Sequence, residues 1–596
     1  MSHTATRPLS CCLIALACGI ALGAGSIGAA DTIHCLALTG GQAPGMPANV
    51  RFADIEPATI GAGGAMTFRA TLEQGAGGVD ASNDTGIWIV RDLGQGAAAL
   101  VAREGSPAPG MPLGVTYAQI GAPGISTSGQ EVAYWARLSH AGGIDDLNDR
   151  VIYRYEGGAA QPYFQTGSIS FGTPQGMIAE LDGFQQTPAV GLSGYPAMRG
   201  ALVTSPGGVP ADEALGIWTN DLNNDVVQIA RAGGAAADTS GAVYDGGFST
   251  PLVTAAGDLV YTARLRQGIG GVDASSDEGI WVRLAPNEAN YLVAREGDLV
   301  GYGSVASARF DVIYPPVVSA EPRVGFRALM RPGVGGVNST NDEALFSRCP
   351  CGALFAEARE SWPAFGRIAG AALDSFSDPV FSRDGRMCFA ARVRGAGIAP
   401  SNDTTIWWSD LPIQFLVMAR EGDPAPGAGG VTFAEFDFRA ADFWLATTDR
   451  NHLVFPATLS TGARGVWVFT PGRGVRALVK EGDSVQVSPG DTRQIVSITP
   501  RTEGYQHNGR RTNVSPDGNF IFLARLSGGA TALLAVPLPV GQLGCPSDWN
   551  NDQFINSQDF FDFLVDLFDS AADINYSGTT DSQDFFDFLT AFFSGC

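Results

Sequence analysis

Two stretches near the end of the chain carry its clearest chemistry. The first reads DWNNDQFINSQD over residues 548–559 and the second DINYSGTTDSQD over 573–584. Each places side-chain oxygens at the first, third, fifth, ninth and last positions of a loop and a backbone carbonyl at the seventh, the spacing with which a loop wraps a calcium ion in oxygen ligands. The predicted ligands of the first loop are Asp548, Asn550, Asp552, the carbonyl of Phe554, Asn556 directly or through water, and Asp559. Those of the second are Asp573, Asn575, Ser577, the carbonyl of Thr579, Asp581 and Asp584. The sharp turn at the sixth position has Gly578 in the second loop but Gln553 in the first, so the first is expected to pay backbone strain and bind more weakly.

The elements that must hold these loops follow them directly, as the Phe-rich runs FFDFLVDLF and FFDFLTAFF, each expected to be a helix. A module of residues 541–596 is too small to be held by its apolar core alone, so metal and a disulfide between Cys545 and Cys596, which bracket it, are the expected staples. Phe560, Phe561, Phe563, Phe568, Phe585, Phe586, Phe588 and Phe593 are too many for one small core. Some should be exposed, where aromatics suit an interface. Asp rather than Glu at the last loop position, a helix only after each loop, and the repeated SQDFFDFL at 557–564 and 582–589 resemble the duplicated segments of dockerins. With Gly544-Cys545 and Gly595-Cys596 at its edges, the segment resembles the GC-type dockerin-like domain. That resemblance implies calcium-dependent docking onto a cohesin-like or cell-envelope partner, through the helix residues nearest the loops.

The rest of the chain is a repeat. One phrase recurs eight times, at Leu36, Val101, Tyr163, Ile229, Val293, Glu357, Met418 and Leu478, roughly every sixty-odd residues. Between its copies lie apolar runs with a central aromatic, such as AMTFRATL (65–72), DLVYTARL (258–265) and NFIFLARL (519–526), and runs such as GIWIVR (86–91) and EGIWVRL (278–284). Their β-branched and aromatic content, bounded by Gly, Asn, Asp and Ser, reads as strands. A less regular strand near Val115–Ile120 brings the unit to about four, the count of a propeller blade. The N-terminus supplies only a fourth-strand phrase, IHCLALTG, while the last unit ends after its third strand, ALLAVPL. The first strand of the chain is therefore expected to complete the last blade and close the ring. Residues 31–540 are predicted to form an eight-bladed β-propeller, or a seven-bladed one if the unit around 163–228 is irregular; an open solenoid would leave the shared strand unexplained. The whole is mainly β with a small all-α module. Ser382, Gly385 and Phe389, with Ser515, Gly518 and Phe522, resemble the NxxGxxAF phrase of secreted bacterial choice-of-anchor tandem-repeat proteins, as do Gly61, Gly64 and Phe68, and Thr254, Gly257 and Tyr261. Asn is absent from the first position of all these copies, so the match is one of pattern. The resemblance implies export, a C-terminal attachment module and no assigned catalytic activity.

Residues 1–30 read as a signal peptide, with Arg7, an apolar run from Leu9 to Ile27, and small residues at Gly28 and Ala30. A lipid-bearing Cys18 fits poorly, since Ala15 stands where a large aliphatic residue is preferred. The expected location is extracellular or at the cell surface, with no membrane-spanning segment after signal removal. A net charge of −23 argues against nucleic acid. Of Cys35, Cys349, Cys351 and Cys388, the pairing is open, and a structural disulfide at 349 or 351, with Cys388 as a candidate partner, outweighs a metal or redox reading.

Catalysis finds little material. Arg103-Glu104, Arg295-Glu296, Arg359-Glu360 and Arg420-Glu421 recur in unit after unit, whereas an active site occurs once, and they read as turn-stabilising pairs or solvated strand ends. The loops GGVDASND (77–84), GGVDASSD and GGVNSTND read as turns before they read as calcium sites. His34, His140, His452 and His507 are scattered, and Asp311 alone is a weak singleton. The expectation is a secreted, non-catalytic binding or structural propeller, with a carbohydrate or protein ligand on its face. The alternative is an anchored polysaccharide-active hydrolase or lyase, whose sign would be an acidic residue present in one unit only.

Overall fold

A computed structural model describes the chain from residue 33 to 594, apart from 94–97, 168–177, 182–188, 191–195, 205–208, 221–225, 255–257, 285–288, 302, 320–322, 350–351, 365–367, 369, 384, 411–413, 441, 472, 501–512, 540–546, 548, 550–554, 569–571, 573 and 575–579. The described residues all fall within one compact unit, Asp31–Cys596. Among the described residues no helix is long and apolar enough to cross a membrane.

Eight antiparallel sheets follow one another along the chain as blades. In blade 1 the first strand is broken into two halves, Phe52–Ile55 and Thr59–Ile60, both paired with Met66–Leu72; Thr85–Val90 and Ala99–Arg103 complete the sheet. The second halves of neighbouring first strands touch, as Thr59–Ile60 does Gly124–Ile125, so these short pieces follow one another from blade to blade. Each blade is covered on both faces by its neighbours. Its second and third strands are therefore apolar almost throughout, and Val132–Leu138 and Thr85–Val90 each bury all but one residue.

Within a blade the packing unit is a trio of aromatics, one from each of the first three strands. Phe52, Phe68 and Trp88 form it in blade 1, with Phe52 edge-on to Trp88 at 5.0 Å and Phe68 stacked on Trp88 at 6.0 Å. Tyr117–Tyr134–Tyr153, Tyr244–Tyr261–Trp281, Phe310–Phe326–Phe346 and Phe433–Phe455–Trp467 repeat the arrangement. Such edge and offset contacts add about 0.5–1.5 kcal/mol per pair beyond burial. The third-strand tryptophans also donate out of the blade, Trp88 Nε1 to the Pro44 carbonyl (2.9 Å) and Trp467 Nε1 to that of Pro426 (3.0 Å), which ties the Ala-Pro-Gly turns at 43–45 and 425–427 to the sheet. The glycine of Gly-Ile-Trp makes room for the ring: a Cβ on Gly279 would lie 2.8 Å from Trp281 and 3.0 Å from the Ala294 carbonyl. Blade 6 solves this differently, with Thr405 in the glycine's place accepting from Trp407 Nε1 at 2.7 Å.

The ring closes as expected from the two ends of the sequence. His34–Leu38 pairs antiparallel with Thr531–Pro537, His34 opposite Ala535 and Leu38 opposite Ala532, as the outer strand of blade 8. The blade count is eight, and the irregular unit around 163–228 contributes a full blade with Pro196–Leu202 at its centre.

After blade 8 come two helices, α1 (Ser557–Phe568) and α2 (Ser582–Ser594). Their shared core is Phe563 stacked on Phe588 at 3.9 Å, with Trp549 edge-on to both. Arg473, in the last turn of blade 7, lies over the Trp549 ring at 5.4 Å.

Candidate functional site

Of the predicted loop residues, Asn556, Asp559, Asp581 and Asp584 are described; Asp548, Asn550, Asp552, Phe554, Asp573, Asn575, Ser577 and Thr579 lie outside the described residues, as do Cys545 and Cys596. The four that are seen sit in duplicate. Asp559 accepts the Asn556 N–H at 2.8 Å while Asn556 accepts that of Gln558 at 2.8 Å; Asp584 accepts the Asp581 N–H at 2.9 Å while Asp581 accepts that of Gln583 at 2.7 Å. This is a capping box, and it alone accounts for helices starting at Ser557 and Ser582. The cap also gives each of these carboxylates a hydrogen bond in its buried place. Both Asp559 and Asp584 are fully buried, where an ionised carboxylate is costly unless paired, hydrogen-bonded or on a metal. An acidic oxygen buried at the last position of each loop is the donor chemistry a calcium site asks for.

The helices split their phenylalanines as their number requires. Phe563 and Phe588 are fully buried, whereas Phe561, Phe568, Phe586 and Phe593 are 58%, 81%, 58% and 80% exposed. Phe561 and Phe568 lie two turns apart on one side of α1, and Phe586 and Phe593 repeat the pair on α2. Trp549, the core residue that Trp–Asp566 bonding fixes at 2.8 Å, was not singled out by sequence; its position inside a polar loop hid it.

The candidates in the propeller prove structural. The Arg-Glu runs do not pair internally. Arg103 Nε and Arg420 Nε donate to the carbonyls of Asn83 and Asn402 in the glycine-rich loops, while the Glu104 carboxylate accepts the Ile120 N–H of the next blade at 3.1 Å. Those loops are closed by their own side chains. Asp80 takes the Ser82 N–H at 2.9 Å, Asn83 takes that of Asp80 at 3.0 Å, and 145–148, 273–276 and 338–341 repeat the pattern. In one of them His140, Asp146 and Asp149 converge, but Arg137 already supplies the positive charge, 2.6 Å from Asp149. His452 is a turn residue whose burial pushes its pKa down to about 3. Asp311 pairs with Arg331 at 3.1 Å. Cys349 is in a disulfide, and Cys388, the candidate partner, is not in it: it is buried in Met387–Gly395 and keeps its thiol.

Fold and sites together define an eight-bladed propeller protein with a helical C-terminal module. The chain belongs to the DUF7453 family, a family of unknown function whose profile matches residues 26–169, 143–414 and 271–541. No curated protein matches the sequence. Among solved structures it is similar to a prolyl endopeptidase (12% identity, 81% of this chain and 54% of that one, TM-score 0.34) and to the acylaminoacyl peptidase of Pyrococcus horikoshii (10%, 74% and 57%, 0.35). It is also similar to an oligogalacturonate lyase of Vibrio parahaemolyticus (8%, 73% and 96%, 0.34). The chain spans little more than half the length of the two peptidases. The expectation that the chain is no enzyme is withdrawn: structures of this general fold include peptidases and a lyase, and at such likeness they give this chain neither an activity nor a catalytic residue.

Proposed function

We propose that this is an exported propeller attached through residues 541–596, by a calcium-dependent, dockerin-like module, to a cohesin-like or cell-envelope partner. The observation that carries the reading is the duplication of α1 and α2: a buried Asp at the head of each and an exposed phenylalanine pair along each. Asp559 and Asp584, with the other loop oxygens, would hold the two ions; calcium would supply the charge that folds the loops against the helices. The test is calorimetric titration of the full mature chain with calcium. Two ions per chain are expected, with Asp559→Ala and Asp584→Ala each removing one; a chain that binds none would overturn the reading.

A second reading, a polysaccharide-active hydrolase or lyase on the same scaffold, is favoured by one feature. Asp442 lies in a long break of the first strand of blade 7, where blades 1, 2, 5 and 6 have only a short one, and Glu435 and Asp437 flank it. Release of reducing or unsaturated ends from plant and microbial polysaccharides is its assay, and no release from any of them would overturn it.

A further inference from the structure

Neighbouring blades leave a gap beside the break in the first strand, and what fills it changes around the ring. In blades 1, 3 and 5 it is an arginine directly after the aromatic or Met198 of the second strand. Arg69 Nη1 donates to the Ile120 carbonyl of blade 2 (2.9 Å), Arg199 Nη1 to that of Phe248 in blade 4 (2.6 Å), and Arg327 Nε to Asp378 of blade 6 (2.8 Å). Blade 2 has Trp135 there, whose ring takes the space a side chain on Gly121 would need. Blade 4 has Thr262, and a cavity of about 260 Å³ remains beside it. Blade 7 has Pro456, and Thr458 stands where blades 2, 4 and 6 carry Arg137, Arg264 and Arg392. Neither plug is present, and the cavity between blades 7 and 8 grows to about 470 Å³. That is within the roughly 300–1,000 Å³ of small-molecule sites.

Blade 7 also departs from the others in its first strand. The break takes three residues in blade 1, from Glu56 to Ala58, but here, where Ala434 still donates to the Thr458 carbonyl of the second strand, it spans the stretch between Phe436 and Ala446. This segment furnishes the cavity. Phe436 and Trp444 are buried in its wall, and Asp437 and Asp442 are exposed at its mouth. Two of its carboxylates are already neutralised: Glu435 pairs with Arg392 at 2.5 Å and Asp442 with Arg464 at 3.4 Å. The segment is pinned from the far side, since Arg439 reaches past blade 6 to Glu343 of blade 5 at 2.9 Å.

We propose that this cleft binds a neutral oligosaccharide. Its carboxylates accept hydrogen bonds from hydroxyl groups, and Arg464 donates to them. The half-buried Phe443, which also lines the cleft, takes the C–H face of a sugar ring. The arginine pairs leave little demand for a cation, and Asp437 at the mouth repels an anion. The inference does not depend on the docking reading or on catalysis, and it names the ligand class and the place at which the propeller body would take it.

The test is calorimetric titration of the full mature chain with cellohexaose, xylohexaose, mannohexaose and maltohexaose, and with hexagalacturonate as the anionic control. At least one neutral probe is expected to bind saturably and the anionic one not to. Asp437→Asn should weaken that binding at least tenfold, and Pro456→Arg, which restores the plug of blades 1, 3 and 5, should abolish it. If Pro456→Arg does not fold, as read from its thermal transition, Asp437→Asn decides, because that side chain is exposed. No neutral binder, preference for hexagalacturonate, or binding unchanged in a folded variant would each overturn the site. Asp559→Ala with Asp584→Ala should leave sugar binding untouched, so failure of this site and failure of the docking reading are separate results.

Discussion

The glutamate that follows the outer strand in blades 1, 4, 5 and 6 is buried between blades, where its charge is penalised. Burial lifts the pKa of Glu296 from the usual 4.5 to about 7, helped by the charges of Glu278 and Asp277, and burial with the neighbouring Asp342 does the same for Glu360; Glu104 and Glu421 move the same way. A carboxyl whose folded pKa is raised holds its proton more tightly in the folded than in the unfolded chain. The stability it adds is complete below about pH 4.5 and is lost as pH rises through 7. The melting temperature in the absence of calcium is therefore expected to fall between pH 5 and pH 8. Glu296→Gln with Glu360→Gln should flatten that fall, read by differential scanning calorimetry. The sequence displays these residues plainly as Arg-Glu runs, but not their partners. Ile120 is in the next blade, and in blade 6 the link passes through Thr404, which donates to Glu421 and accepts the Phe436 N–H. Spacing along one repeat cannot reveal a contact made with the following one.

At the scale of the strand, blades 1, 3, 4 and 7 depend on an indole folded back over a glycine. Gly279→Ala is expected to cost about 1–3 kcal/mol by overpacking against Trp281, measured as a lower urea midpoint at unchanged slope. Glycine and tryptophan stand together in the text of the sequence, which is why the third strands were easy to place. The second strands were equally legible, and so was the turn before them. There a serine or threonine stands where the choice-of-anchor phrase has asparagine and does an equivalent job: Ser382, Thr254 and Ser515 each accept the N–H four residues on, at 2.8–3.1 Å. What could not be read was the break in the first strand, because its halves are only two to six residues long and carry no periodicity. The cleft of blade 7 was hidden for the same reason. Pro456 and Thr458 look like ordinary strand variation until the arginines of the other blades are seen filling gaps.

At the scale of the molecule, the ring stands on one pairing between its ends. Removing residues 31–40 would expose the edge of Thr531–Pro537 and separate blade 1 from blade 8. The truncated chain is expected to melt at a lower temperature, over a broader range, and to associate in solution, which light scattering during a thermal ramp would register. The two ends of the sequence foretold this closure because each carried the part of a blade that the other lacked. The two C-terminal helices were legible for a different reason. Their loops are written twice, and a duplicated pattern with Asp559 and Asp584 at equivalent places is hard to mistake for chance.

The closing strand also sets an order of events. During synthesis His34–Leu38 emerges long before its partner at Thr531–Pro537. Until then the opening segment has nowhere to go, and the blades behind it can stack only as an unfinished arc. Joining ends so far apart in sequence is slow, because the entropy of closing the loop must be met before any contact rewards it. The seam between His34–Leu38 and Thr531–Pro537 is therefore expected to form late in folding, after the blades between them.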